Sequence, residues 1–221
     1  MALKKRLSGL LFFIMSISVP EYVAAQVDIK KLQSVAEQKY GKTASETVTN
    51  WQSLLENSSD LSTEEKLFKI NNFFNKRVRF ESDSQIWQQQ DYWATPLETL
   101  AKARGDCEDF SIAKYFSLIL LGIPEEQLQL TYVNATRNFP GRQISQTHMV
   151  VTYFPEDSAP LVLDNLISDI RPSTERSDLK TIFSFNNEGF WVAGQNRLDA
   201  PEKRIRRWGD VKARMQAEGL L

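Results

Sequence analysis

The chain has 221 residues, with 27 Lys and Arg against 28 Asp and Glu, a formal net charge of −1, one cysteine and one histidine. So mild a charge excludes a general affinity for nucleic acid. A single cysteine excludes an internal disulfide.

The N-terminus sets the compartment. Lys4, Lys5 and Arg6 form a short basic region, Leu7 to Val19 is a mostly apolar run without charge, and Glu21 breaks it. Val23-Ala24-Ala25 then offers small residues ahead of Gln26. That order predicts a secretory signal peptide over residues 1–25, cut after Ala25. The apolar run has 13 residues, short of the roughly 20 that span a bilayer as a helix. No later segment is long and apolar enough to span one, so residues 26–221 are expected as one domain outside the cytoplasm. Losing the leader moves the formal charge from −1 to −3.

Ile29, Leu32 and Val35-Ala36 have helical spacing, and Gly41 ends that segment. A second helix is predicted through Trp51, Leu54 and Leu55, followed by a loop at Asn57-Ser58-Ser59-Asp60. Ser62 with Glu65 makes a capping box for a third helix through Leu67, Ile70 and Phe73-Phe74. Thr95 caps a short helix with Pro96 in its first turn. Gly105 ends that segment. Asp106 is then placed to cap a helix over Cys107 to Leu121, apolar almost all round and so buried in the middle of the domain.

After Gly122 and Pro124 the period changes. Leu128, Leu130 and Tyr132 alternate with polar residues, and a turn falls near Asn138-Phe139-Pro140-Gly141. Strands are expected over Thr147 to Phe154, Pro160 to Leu166 and Thr181 to Phe185, with Asn187-Glu188-Gly189 turning into Phe190-Trp191-Val192. Helices followed by neighbouring antiparallel strands indicate an α+β domain, N-terminal helices and a buried helix lying on one face of a sheet. The end is locally basic (Lys203, Arg204, Arg206, Arg207, Lys212, Arg214), with Trp208 and Val211 between the charges. It reads as a basic tail from 196 to 221, with a solvated helix face or a contact for an acidic or membrane surface.

Cys107 is the focus of the chemistry. An unpaired thiol in an oxidising compartment risks oxidation, which argues for a job, while burial is the plain alternative. Its place in the first turn of a helix, among free backbone N–H groups and the positive end of the dipole, favours a thiolate. The same N–H groups can hold an oxyanion. His148 is expected on a strand with Val150, Thr152 and Phe154 on its face, and Asp164 on the next strand with Val162 and Leu166. Asp164 and Asn165 point to opposite faces, and either could orient an imidazole. Asp164 is preferred because a carboxylate also stabilises the imidazolium. Cysteine at a helix start, then histidine and aspartate on following strands, is the order of a papain-like thiol enzyme.

Asp106, Glu108 and Asp109 crowd the thiol with negative charge, which opposes the thiolate. They could simply favour the helix N-terminus. Three within four residues is more than capping requires, and carboxylate oxygens suit Ca²⁺. A bound divalent cation would cancel their field.

Trp93-x-Thr95-Pro96, Gly105-Asp106-Cys107-Glu108-Asp109-Phe110, His148-Met149-Val150, Leu163-Asp164-Asn165-Leu166 and Ser184-Phe185-Asn186 resemble the bacterial transglutaminase-like cysteine proteinases. The likeness covers about Trp93 to Trp191. It implies a papain-like or transglutaminase-like fold with a Cys107, His148, Asp164 triad, and Ca²⁺ dependence through Asp106, Glu108 and Asp109. It implies a periplasmic endopeptidase cutting the N-terminal region of a large surface adhesin in biofilm dispersal. The regulator it implies is an inner-membrane cyclic di-GMP receptor of LapD type that sequesters the protease. Acyl transfer to an amine by the same triad, and a non-catalytic calcium-binding adaptor, are the alternatives.

Overall fold

The computed structural model describes residues 27–192, 197–198 and 201–221. The expected leader lies outside them. Helix α1 (Ile29–Tyr40) opens on Asp28, whose carboxylate accepts the Lys31 N–H at 2.9 Å, and stops at Gly41 in the left-handed region. Helix α2 (Lys42–Glu56) buries Val48 and Trp51, and the Trp51 indole donates to Ser117 Oγ at 2.9 Å. Helix α3 (Thr63–Arg77) begins with the expected Ser62–Glu65 capping box.

Two very short segments were invisible to periodicity. Strand β1 (Arg79–Phe80) precedes the single-turn helix α4 (Asp83–Ile86). Helix α5 (Pro96–Lys102), capped by Thr95 with Glu98 reciprocating, leads into strand β2 (Arg104–Gly105). Strands β1 and β2 pair in parallel, Arg79 with Arg104 and Phe80 with Gly105. Helix α6 (Cys107–Leu120) follows at once and is buried nearly throughout, as its sequence requires.

Strands β3 (Leu128–Phe139) and β4 (Arg142–Tyr153) form a hairpin through Pro140-Gly141, with Gly141 at φ +77. Both outrun the expected strands because the distal arm is polar on both faces and carries no alternation. Strands β5 (Leu161–Leu163), β6 (Arg171–Pro172), β7 (Leu179–Phe185) and β8 (Phe190–Val192) complete a six-stranded antiparallel sheet in the order β6-β5-β4-β3-β7-β8. The main core lies between α6 and one sheet face, joining Ile112, Phe116 and Leu118 to Leu130, Met149, Val151 and Phe185. A smaller cluster of Val133, Ala135, Val150 and Val162 covers the other face. The fold is the α+β arrangement expected, with the Cys107 helix on an antiparallel sheet.

Strand β5 is a correction. The apolar run predicted a strand through Leu166, but it stops at Leu163, which pairs with Val151. Asp164 ends it: its Oδ1 accepts the Leu166 N–H at 2.9 Å, a turn in which the carboxylate replaces a strand partner. Asp164 is therefore the first residue beyond β5 rather than a residue within it.

The basic C-terminus forms helices α7 (Pro201–Arg204) and α8 (Arg206–Glu218). Only one face of α8 is solvated; Trp208, Val211 and Met215 are buried. The Trp208 ring stacks on Phe116 at 5.6 Å and meets Tyr115 and Phe185 edge-on. Among the described residues no helix is long and apolar enough to cross a membrane. Removing the Trp208 ring should cost about 3–5 kcal/mol; urea unfolding of Trp208→Ala measures it, and a loss below about 1 kcal/mol would mean α8 is not part of the core.

Candidate active site

Because β5 ends at Leu163, the main chain of β4 ahead of Val151 has no strand on that side among the described residues. Helix α6 occupies the edge. Ser111 Oγ donates to the Met149 carbonyl at 3.0 Å, and one turn earlier the Met149 N–H faces the Cys107 sulfur. The thiol thus meets the backbone one residue from His148. A strand continued to Leu166 would have closed this edge.

His148 is 2 % exposed and its Nε2 lies 2.7 Å from Asp164 Oδ1. With Nε2–H donating to the carboxylate, Nδ1 is left to serve the thiol. Asn165 is not the partner of the imidazole; its Oδ1 is buried and accepts no hydrogen bond among the described residues. Asp164 also receives Arg176 Nη2 on Oδ2 at 2.7 Å, and its main-chain carbonyl receives Asn75 Nδ2 from α3 at 2.7 Å. Burial alone would push this carboxyl up, but hydrogen bonding and charge from His148, the Leu166 N–H and Arg176 hold it down at about 2.

The environment on the other side of Cys107 is the opposite. The thiol donates to Glu108 Oε2 at 2.7 Å, while Tyr132 Oη donates to Glu108 Oε1 at 3.3 Å. Burial, then the charge and hydrogen bond of Glu108, then Asp106, push the thiol well up; the Met149 N–H opposes them. Among the described residues its side-chain hydrogen-bond partner is Glu108, not His148.

Asp106 sits at the N-cap of α6 in a reciprocal capping box with Asp109, yet its Oδ1 is buried without a partner among the described residues. Capping therefore leaves one oxygen of this acid unaccounted for. Asp109 does bond locally: Oδ1 accepts the Ala94 N–H at 2.7 Å and Oδ2 the Asp106 N–H at 3.3 Å. Gly105 is obligatory here, because a Cβ on it would lie 2.7 Å from Asp109 Cβ.

A fourth acid joins them. Carboxylate oxygens of Asp83, Asp106 and Asp109 lie within 4.8 Å of one another. The β1–β2 pairing causes this: the two segments run side by side, and the Glu81 N–H bonds the Gly105 carbonyl at 3.0 Å. Asp83 Oδ2 accepts the Tyr92 N–H at 2.6 Å, and Oδ1 is buried and unpartnered. Glu108 groups instead with Asp106 and Cys107. Asp83 lies 23 positions from Asp106, in a stretch without strand periodicity, so no local pattern pointed to it.

The carboxyls register the crowding. Burial first, with Glu108 and Asp91 adding to it, pushes Asp83 up to about 6 against the Tyr92 N–H. Burial, Glu108 and Asp109 push Asp106 up to about 10. Three hard oxygen donors, two with orphaned buried oxygens, fit a divalent cation.

The chain matches the bacterial transglutaminase-like cysteine proteinase family over residues 33–199, and it belongs to that family. Among solved structures it is similar to Legionella pneumophila LapG in its EGTA-treated form, 35% identical with a TM-score of 0.73, covering 85% of this chain and 97% of that one. The calcium-bound form of the same protein is 34% identical with a TM-score of 0.71, covering 85% and 98%. Comparison with curated proteins finds no significant match.

Acids that hold protons in the fold contribute stability fully below their unfolded value near 4, and that contribution is lost as pH rises through the folded value. In metal-stripped protein the melting temperature should therefore fall as pH is raised from about 5 to about 8, across the value of about 6 at Asp83 and toward about 10 at Asp106. Calcium should flatten the decline. Scanning calorimetry with and without the ion checks this, and two superimposable profiles would leave the cluster without a cation.

Proposed function

We propose that this chain is a periplasmic, calcium-dependent cysteine endopeptidase. The observation that carries the reading is the juxtaposition at β4: Cys107, at the start of α6, abuts Met149, and the neighbouring His148 is held by Asp164. Family membership and the likeness to LapG support a peptidase. The expected leader supports export.

The Cys107 thiolate attacks the scissile carbonyl, and His148 takes the thiol proton and returns it to the leaving amine. Asp164 keeps the imidazole in the Nε2–H tautomer and balances the imidazolium. The Cys107 N–H, in the first turn of α6 where backbone donors lack intrahelical acceptors, donates to the developing oxyanion. Water then hydrolyses the thioester.

Asp83, Asp106 and Asp109 would hold the cation, with Glu108 on its Cys107 side. It would supply the positive charge that the acids otherwise lack beside the thiol. Relief of the Glu108 field at Cys107 is the reason an acidic neighbourhood and a reactive cysteine are compatible. The solution of LapG in calcium-bound and EGTA-treated forms supports the metal.

The substrate proposed is the N-terminal region of a large surface adhesin, and the regulator a LapD-type cyclic di-GMP receptor that sequesters the enzyme; both rest on family likeness. Incubation with an adhesin N-terminal fragment should give defined cleavage by the parent. Cys107→Ala should lose at least about 10³-fold in rate, and chelator should abolish cleavage until calcium is restored. Cleavage by Cys107→Ala at the parent's rate would end the proposal. Amine incorporation without peptide cleavage would assign acyl transfer instead.

A further inference from the structure

Behind the His148–Asp164 pair stands a cation that none of the steps above employs. Arg176 is 3 % exposed and follows the short 3₁₀ turn Ser173–Glu175. Its Nη2 donates to Asp164 Oδ2 at 2.7 Å, and Nε and Nη2 donate to the two oxygens of Asp178 at 2.9 Å each. We propose that Arg176 is a positioning residue of the active site, fixing the Asp164 carboxylate and setting the proton affinity of the imidazole it holds.

Geometry gives the first half of the argument. Asp164 Oδ1 must face His148 while also closing the turn to Leu166. Rotation of the carboxylate would break either bond, and the contact on Oδ2 prevents it. A planar guanidinium suits this task because it can grip Asp178 with one edge and present another N–H to Asp164. Asp178 is the outer end of the chain, its side chain 35 % exposed. Charges therefore alternate along a line from Asp178 through Arg176 and Asp164 to His148.

A purely structural role is a poor account of Arg176. Its Nη1 is buried without a partner among the described residues, an arrangement that costs stability. Buried ion pairs are in any case an inefficient way to stabilise a fold. What the pair does provide is a carboxylate that stays ionised whether His148 is neutral or protonated.

Three cationic or protonatable groups face Asp164: His148 from β4, Arg176 from the turn before β7, and Lys114 from α6. Asp178 lies behind Arg176. Lys114 is buried beside the Phe110 ring, 5.8 Å from its centroid. Replacing Arg176 by a neutral residue removes the hydrogen-bonded positive charge. The His148–Asp164 pair then takes up its proton more readily, so the imidazole titrates at higher pH.

The proposal rests on the triad reading, but its main test needs no substrate. His148 is the chain's only histidine, so tag-free, calcium-loaded protein with labelled histidine gives one set of imidazole signals to follow by NMR. In Arg176→Gln the titration midpoint should rise by about 1 pH unit. On a cleavable substrate kcat should fall about tenfold or more with KM near the parent's. Arg176→Lys, which keeps the charge but cannot span both carboxylates, should hold the midpoint and still lose kcat. A folded Arg176→Gln whose midpoint matches the parent overturns the proposal whatever its activity. If that variant does not fold, Arg176→Lys decides: reduced kcat with an unmoved midpoint supports the role, and parental kcat overturns it. Failure of adhesin cleavage by the parent would instead remove the functional reading and leave the NMR result to stand alone.

Discussion

The site depends on a strand that stops early. Asp164 turns its carboxylate back to the Leu166 N–H and halts β5 at Leu163. The edge of β4 left open is where α6 enters, with Ser111 and Cys107 against the main chain of Met149. A paired edge would have had no hydrogen-bonding capacity left for a helix. One aspartate thus ends the strand, leaves the opening through which Cys107 reaches β4, and holds the histidine. One oxygen, Oδ1, takes both the Leu166 N–H and the imidazole, and the open edge follows from the turn, which is how a single residue can carry all three.

On the two sides of α6 the electrostatics are managed in contrary ways. Asp164 is buried, yet three donors from three segments hold it ionised at about 2. Asp109 is buried and Asp106 half-buried, the donors to Asp109 are backbone N–H groups, and loss of solvation holds both carboxyls well above the usual range. Lys114 is pushed down to about 7 by burial, with Asp164 resisting. A balanced carboxylate can orient a base. An unbalanced cluster instead holds its protons, and its oxygen donors are of the kind that suits a hard cation.

Elements with a long, regular pattern were legible in the sequence: α1 to its terminal glycine, the Ser62 capping box, the buried α6 with Cys107 at its start, and the strand carrying His148. Interactions that arise only from the fold were not. Strands β1 and β2 have two residues each and carry no period, so the parallel pairing that delivers Asp83 to Asp106 left no trace. The apolar run through Leu166 was misread because an Asx-type turn competes with strand pairing, and alternation alone does not weigh that competition. Arg176 gave no signal either: a charged residue in a polar loop ordinarily faces water.

The C-terminal helix shows how widely the site is supported. Arg214 on α8 bonds the Trp93 carbonyl, Tyr92 Oη and Glu98, and Arg207 pairs with Asp91 at 2.7 Å. The segment they grip contributes the Ala94 N–H that holds Asp109 and the Tyr92 N–H that holds Asp83. The basic charges near the end of the chain therefore act through a loop of backbone donors on the acids around the thiol. Acids drawn together from separate segments keep their arrangement only where their scaffold is fixed from outside. Here that scaffold is tied down by residues more than a hundred positions later in the chain, so the arrangement of the acids depends on the C-terminal helix being docked.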